Sequence, residues 1–133
     1  MGIVYPSPMV VLEALRDLLG AVSGVQTARI GIEAGLAPDD YPIVRVVPSA
    51  GKPSEFGLAG LRAYEVLVYF GKPIAEADSG LEDLYSELYA MEIALITALP
   101  DAGDWVARWQ ETITDEDRVP GYKLMALRLL IDG

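Results

Sequence analysis

Carboxylates are the only side chains in this sequence suited to general acid–base work, because the chain contains no His and no Cys. That composition excludes imidazole bases, thiolate nucleophiles, c-type haem attachment, and zinc or iron–sulfur sites built on those ligands. The clustered acids are Asp39-Asp40, Glu82-Asp83 and Asp115-Glu116-Asp117. A carboxylate serves as acid or base near neutral pH only when burial or a neighbouring charge moves its pKa. Each of these clusters falls in a polar turn or on a solvated helix face, where burial is not on offer. The 115–117 run also lacks the alternating oxygen ligands and the Gly-to-Glu spacing of a calcium loop. The glycines Gly57 and Gly60 precede a strand rather than a helix, without the spacing of a phosphate-binding loop. The residues therefore point away from an enzyme, with no cofactor and no metal.

Three charges inside apolar strands are more informative. Arg45, Glu65 and Arg128 each interrupt a β-branched or aliphatic run. They either meet one another across a ladder, reach a neighbouring subunit, or lie on the solvent face of a one-sided sheet. Trp105 and Trp109 are core residues or interface anchors, since Trp serves well in both places.

These residues must be positioned by a short list of elements. Ser7-Pro8 is a helix start, with Ser accepting from an orphan N–H and Pro losing no bond at the first helical position. Val11, Leu12, Leu15, Leu18, Leu19 and Val22 then recur at helical spacing opposite Glu13, Arg16 and Asp17, and Gly20 or Gly24 ends the helix. Residues 25–32 read as a modest strand, and 35–42 as a loop with Pro38-Asp39-Asp40 turn chemistry. Ile43–Val47 is a strand that Pro48 is expected to stop. After a Gly-rich connection over 49–60, residues 61–70 form the strongest strand. Tyr64, Val66, Val68 and Phe70 share one of its faces, and Ala63, Glu65, Leu67 and Tyr69 the other.

Residues 78–99 are the best helix, capped by Asp78 or Ser79 with Glu82 completing a capping box. Leu81, Leu84, Tyr85, Leu88, Met91, Leu95 and Leu99 form its core stripe. A second apolar line, Tyr89, Ile93 and Ile96, widens the arc and marks either a deeply sunk helix or an oligomer contact. The last third reads as a hairpin, in preference to a helix capped by Asp104 with Trp105 and Trp109 at i and i+4, because Thr112, Ile113 and Thr114 continue a strand. Trp105, Ala107, Trp109, Glu111 and Ile113 line one face of its first strand, 114–121 makes a polar turn, and 122–131 returns. The order is α-β-β-β-α-β-β, an α+β fold with a mainly antiparallel sheet packed by two helices. Its 133 residues suit one domain spanning 1–133.

Acidic residues outnumber basic ones 20 to 10, and the ten scattered cations form no basic patch of the kind a phosphate-backbone binder carries. Apolar residues make up 52% of the chain, yet no run approaches the roughly 18 residues of a membrane span. The opening Met1-Gly2-Ile3-Val4-Tyr5-Pro6 has no basic n-region, and Pro6 stands where a myristoylation signal asks for Ser or Thr. The expectation is a protein with no membrane role, cytoplasmic in its assembly, whose apolar surplus goes into subunit interfaces.

The run Gly35-Leu36-Ala37-Pro38-Asp39-Asp40-Tyr41-Pro42-Ile43-Val44-Arg45-Val46-Val47-Pro48 carries a resemblance. So do the Tyr64-Glu65-Val66-Leu67-Val68-Tyr69-Phe70 strand, the acidic helix ending Ile96-Thr97-Ala98-Leu99-Pro100, and the C-terminal hairpin. In layout the chain resembles the tail terminator (tail-completion or minor tail) proteins of long-tailed bacteriophages. The likeness spans nearly the whole chain and rests on strand patterns rather than a chemical motif. It implies a hexameric ring at the tail–neck junction of the virion, assembled in the bacterial host cytoplasm. Such a ring caps the head-proximal end of the tail tube, stops its polymerisation, and docks neck proteins. The implied partners are further copies of the chain, the tail tube protein and the neck or connector protein. Passing DNA would meet an acidic lumen and not bind. Candidate interface residues are Tyr89, Ile93, Ile96, Trp105 and Trp109. Candidate lumen or rim acids are Glu82, Asp83 and Glu87, or Asp115, Glu116 and Asp117. Two other readings stay open: a different neck or head-completion adaptor, and a small carboxylate-dependent enzyme or ligand-binding domain.

Overall fold

The computed structural model describes residues 7–53, 62–74, 80–100, 105–114 and 121–132. Helix α1 spans Met9–Gly20. Strand β1, Thr27–Ile30, follows, and a short 3-10 turn at Pro38–Asp40 leads into β2, Ile43–Pro53. Then come β3, Arg62–Pro73; α2, Leu81–Thr97; β4, Val106–Ile113; and β5, Tyr122–Asp132. This is the expected α+β order. The five strands form one sheet in the order β1-β2-β3-β5-β4. β1 pairs in parallel with β2, and the other three pairings are antiparallel.

Both helices cover the same face of that sheet. Leu12, Leu15 and Leu19 of α1, with Leu84, Leu88 and Leu95 of α2, pack on an inner layer supplied by alternate strand residues. Val44 and Val46, then Val66, Val68 and Phe70, then Met125, Leu127, Leu129 and Ile131 make that layer, and each is fully buried. Register explains the layer, because Val68 stands between Val46 and Leu127, and Phe70 between Val44 and Met125. Cross-strand β-branched and aliphatic neighbours of this kind are what a half-buried pleat selects.

Glycine permits two close approaches in this packing. A Cβ on Gly20 would sit 2.9 Å from the Ala28 Cβ, so α1 can end tight against β1 only without one. A Cβ on Gly71 would collide with the Leu124 side chain and the Lys123 carbonyl of the neighbouring strand.

Four expectations are corrected. β2 runs through Pro48 to Pro53, with a bulge between Pro48 and Ala50. β1 ends opposite Val46, so from Val47 onward β2 has no partner on that side among the described residues, and Pro is tolerated at such edges and bulges. In β4 a second bulge between Trp109 and Glu111 reverses the alternation. Ala107 and Trp109 lie on the helix side, whereas Glu111 and Ile113 pair with Arg128 and Ala126 on the other side. α2 begins at Leu81 with Gly80 as its N-cap at φ 91°, leaving Leu81 exposed instead of in the core stripe. The proposed caps Asp78 and Ser79 lie outside the described residues. Ser7, by contrast, does accept the Met9 N–H at 3.3 Å, with Pro8 in the cap position.

Candidate functional site

Among the described residues the second face of the sheet has no helix on it, and its residues differ sharply from one end to the other. At one end the segment between β1 and β2 folds across as a strap. Tyr41 stacks on Tyr122 with ring centroids 4.2 Å apart, and Leu36 joins them over Ile43 and Leu124. Burial, then the neighbouring Tyr122, push the Tyr41 hydroxyl up to about 12, so it stays neutral at any physiological pH.

Arg45 ties this strap to the sheet. Its side chain is 0% exposed, and every one of its five N–H groups is engaged. Nε donates to Glu33 Oε1 at 2.7 Å, and Nη2 to Glu33 Oε2 at 3.3 Å and Thr27 Oγ1 at 3.0 Å. Nη1 donates to the carbonyls of Thr27 at 3.0 Å and Val44 at 2.9 Å. The Thr27 hydroxyl in turn donates to the Asp40 carbonyl at 2.7 Å, and Arg29 reaches Glu33 at 3.1 Å. Burial works against the Glu33 charge, but the Arg45 hydrogen bond and both arginine charges outweigh it and hold the carboxyl below its ordinary value. The node is thus a buried, saturated structural clamp. Arg45 does not meet Glu65 across the ladder, because the register sets it opposite Tyr69.

Glu65 finds a different partner. Arg128 on β5 lies between Glu65 on β3, 3.2 Å away, and Glu111 on β4, which its Nη1 contacts closely. These three are an inter-strand network at the open end of the face. Around them Val47, Leu67 and Leu130 are only half-buried. Two clefts adjoin here, of about 240 and 120 Å³, and share Glu65 and Leu130.

On the opposite side of the molecule, α2 turns an apolar ridge outward. Tyr89 is 43% and Ile93 62% exposed, and Leu81 at the helix start is exposed as well. Ile96 instead packs partly against the core, as does Trp105. Trp109 is 47% exposed on β4, its indole N–H donating to Thr112 Oγ1 at 3.0 Å. Of the five interface candidates, Tyr89, Ile93 and Trp109 are therefore on the surface.

The acidic candidates are scattered. Glu82, Asp83 and Glu87 are exposed on the first two turns of α2, where the first two complement the helix dipole and Glu87 pairs with Lys72 at 2.7 Å. Asp39 and Asp40 form the turn before β2, with Asp40 Oδ2 accepting the Ala37 N–H at 2.8 Å. Asp115, Glu116 and Asp117 lie outside the described residues. Among the described residues, no cluster of three or more acids is placed to hold a metal ion. No helix there is long and apolar enough to cross a membrane. Glu33 was invisible in the sequence, since it sits in an aperiodic loop; only the anomaly of Arg45 in an apolar strand signalled that a partner must exist.

No family model matches the chain, and no curated protein is detectably similar to it in sequence.

Proposed function

We propose that this protein is a bacteriophage tail terminator, a structural subunit whose copies close into a ring on the head-proximal end of the tail tube. There it halts tube polymerisation and offers the docking surface for neck proteins. In this reading it is a virion component of the tail–neck junction, it acts by assembly and not by catalysis, and the ring is a hexamer.

One observation carries the reading: an exposed apolar ridge on one side of a small subunit and a half-buried apolar patch on the opposite side. These are the α2 ridge at Tyr89 and Ile93, and the open sheet end around Leu67 and Leu130. A ring is built from heterologous contacts, in which one patch of a subunit meets a different patch of the next. A subunit with only one sticky patch makes a dimer and stops. The net charge of −10 supports the same reading, because DNA passing through an acidic ring is repelled by it.

The test is a tube-capping assay. Tail tube protein is polymerised with and without this protein, and the tubes are measured by negative-stain electron microscopy. Shortened tubes with extra density at one end support a terminator. Tubes of unchanged length and bare ends, at saturating protein, refute it.

A further inference from the structure

Residues 32–41 make up the strap on the second sheet face, and little apolar surface holds them there. Only Tyr41 among them is buried, and Leu36 is half-buried. These two close a small cluster with Ile43, Leu124 and Tyr122 that is separate from the main core. The rest of the attachment is polar. Glu33 holds Arg45 at 2.7 and 3.3 Å and Arg29 at 3.1 Å, and the Asp40 carbonyl accepts from the Thr27 hydroxyl at 2.7 Å. Gly31 and Gly35, at φ 84° and 77°, flank Glu33 with backbone that glycine alone adopts readily. The strap's own hydrogen bonds all close within one turn: Ala37 N–H to Asp40 Oδ2, Asp40 N–H to the Ala37 carbonyl, and Tyr41 N–H to the Pro38 carbonyl. A single turn has no cooperative stability of its own, so these bonds last only while the strap is docked. Docking also carries a cost. The Tyr41 hydroxyl is buried with no hydrogen-bond partner among the described residues, and water would satisfy it once the strap lifts.

We infer that the strap is a hinged cover that opens as one unit while the sheet and both helices stay folded, with Glu33 on Arg45 as its latch and the unpartnered Tyr41 hydroxyl favouring release. The inference holds whether or not the subunits form a ring. Two apolar side chains offset little of the entropy lost in ordering the whole segment, and segments of that kind open below the free energy of global unfolding. The main core, by contrast, joins both helices to β2, β3 and β5. Opening uncovers Ile43, Leu124 and Tyr122, so that apolar surface extends from the Val47 and Leu67 end of the face to its other end. How much of that face is uncovered is then set by the latch and not by the sheet.

Amide hydrogen exchange, followed residue by residue by NMR on the parent, Glu33→Gln and Tyr41→Phe, tests this. In the parent, the amides of Ala37, Asp40 and Tyr41 are expected to share one opening constant. It should exceed that of Val68 and Leu127 in the core strands by at least about tenfold, and stay unchanged in urea too dilute to unfold the protein. Glu33→Gln keeps the side-chain shape but removes the charge that Arg45 binds. It is expected to raise all three opening constants together by about fivefold or more, including those of Asp40 and Tyr41, which Glu33 does not touch. Tyr41→Phe keeps a ring to stack on Tyr122 and removes the buried hydroxyl, and is expected to lower all three by about fivefold or more. The inference is overturned if the three amides exchange only as slowly as the core strands, or if Glu33→Gln leaves Asp40 and Tyr41 unchanged. It is equally overturned if Tyr41→Phe leaves strap exchange unchanged or speeds it, a result that decides the matter even if Glu33→Gln does not fold.

Discussion

Removing Glu33 should cost the protein more stability than removing Arg45, although the two side chains form one pair. Glu33→Ala leaves a guanidinium in a site that is 0% exposed, with two of its five N–H groups unpartnered. Arg45→Met fills the same space with an apolar chain and leaves Glu33, which is 38% exposed, free to hydrate and to keep Arg29. Breaking a buried pair typically costs about 3–5 kcal/mol, nearly all of it from the charge left behind. Three donors stay satisfied by Thr27 and Val44, and solvent can reach the vacated carboxylate position. Those two facts lower the expectation for Glu33→Ala to about 2–3 kcal/mol. Arg45→Met should cost about 1 kcal/mol or less, as apolar replacement of buried ions often does. The double variant should then be more stable than Glu33→Ala alone. For a chain of 133 residues the Glu33→Ala loss corresponds to a fall in Tm of roughly 7–10 °C. Urea unfolding followed by circular dichroism measures all three. If Arg45→Met proves the more damaging change, or the double variant is worse than either single one, the guanidinium is not the buried cost this reasoning makes it.

Other outcomes follow from the same structure. Because the Glu33 carboxyl is held below its ordinary value of 4.5, its contribution is complete above that pH and is lost as pH falls through the lowered native value. Acid unfolding should therefore begin at higher pH in a parent with Glu33 than in Glu33→Gln relative to each one's own neutral stability, so the variant's stability curve is flatter; equal slopes below pH 4.5 would contradict it. Gly71→Ala should destabilise by about 3 kcal/mol or more, since overpacking meets a backbone carbonyl that cannot rotate away; a variant with parental urea midpoint would show that β3 and β5 can separate cheaply. Duplex DNA should show no gel shift at moderate salt, given the net charge of −10; a salt-sensitive shift would remove the argument for a repelling lumen.

Much of the fold was legible because it is written in periodicity. Leu84, Leu88 and Leu95 in α2, and Val66, Val68 and Phe70 in β3, repeat at the spacings of their elements and are buried as those spacings require. The misplacements have physical sources. Pro48 would end a strand only where a neighbouring strand must accept from the N–H that Pro lacks, and β1 stops short of it. The β4 bulge changes which face Glu111 occupies, and nothing in Trp109-Gln110-Glu111 announces an extra residue. Arg45 was recognisable as an anomaly, but its partner was not, because Glu33 is brought to it by the strap and not by strand register. The surface candidates were legible as an excess: Tyr89 and Ile93 lie beyond the arc that one sheet can cover, and both are exposed. The open half of the second sheet face was not, since Leu67 and Leu130 read as ordinary strand residues until the layers were assembled.

The most direct test of the proposed ring is native mass spectrometry of the parent protein, alone and with short tail-tube oligomers. The account predicts a discrete species at six times the 14.3 kDa subunit mass, free or seated on the tube. A twelvefold ring, or a protein that stays monomeric even with tube present, would contradict it.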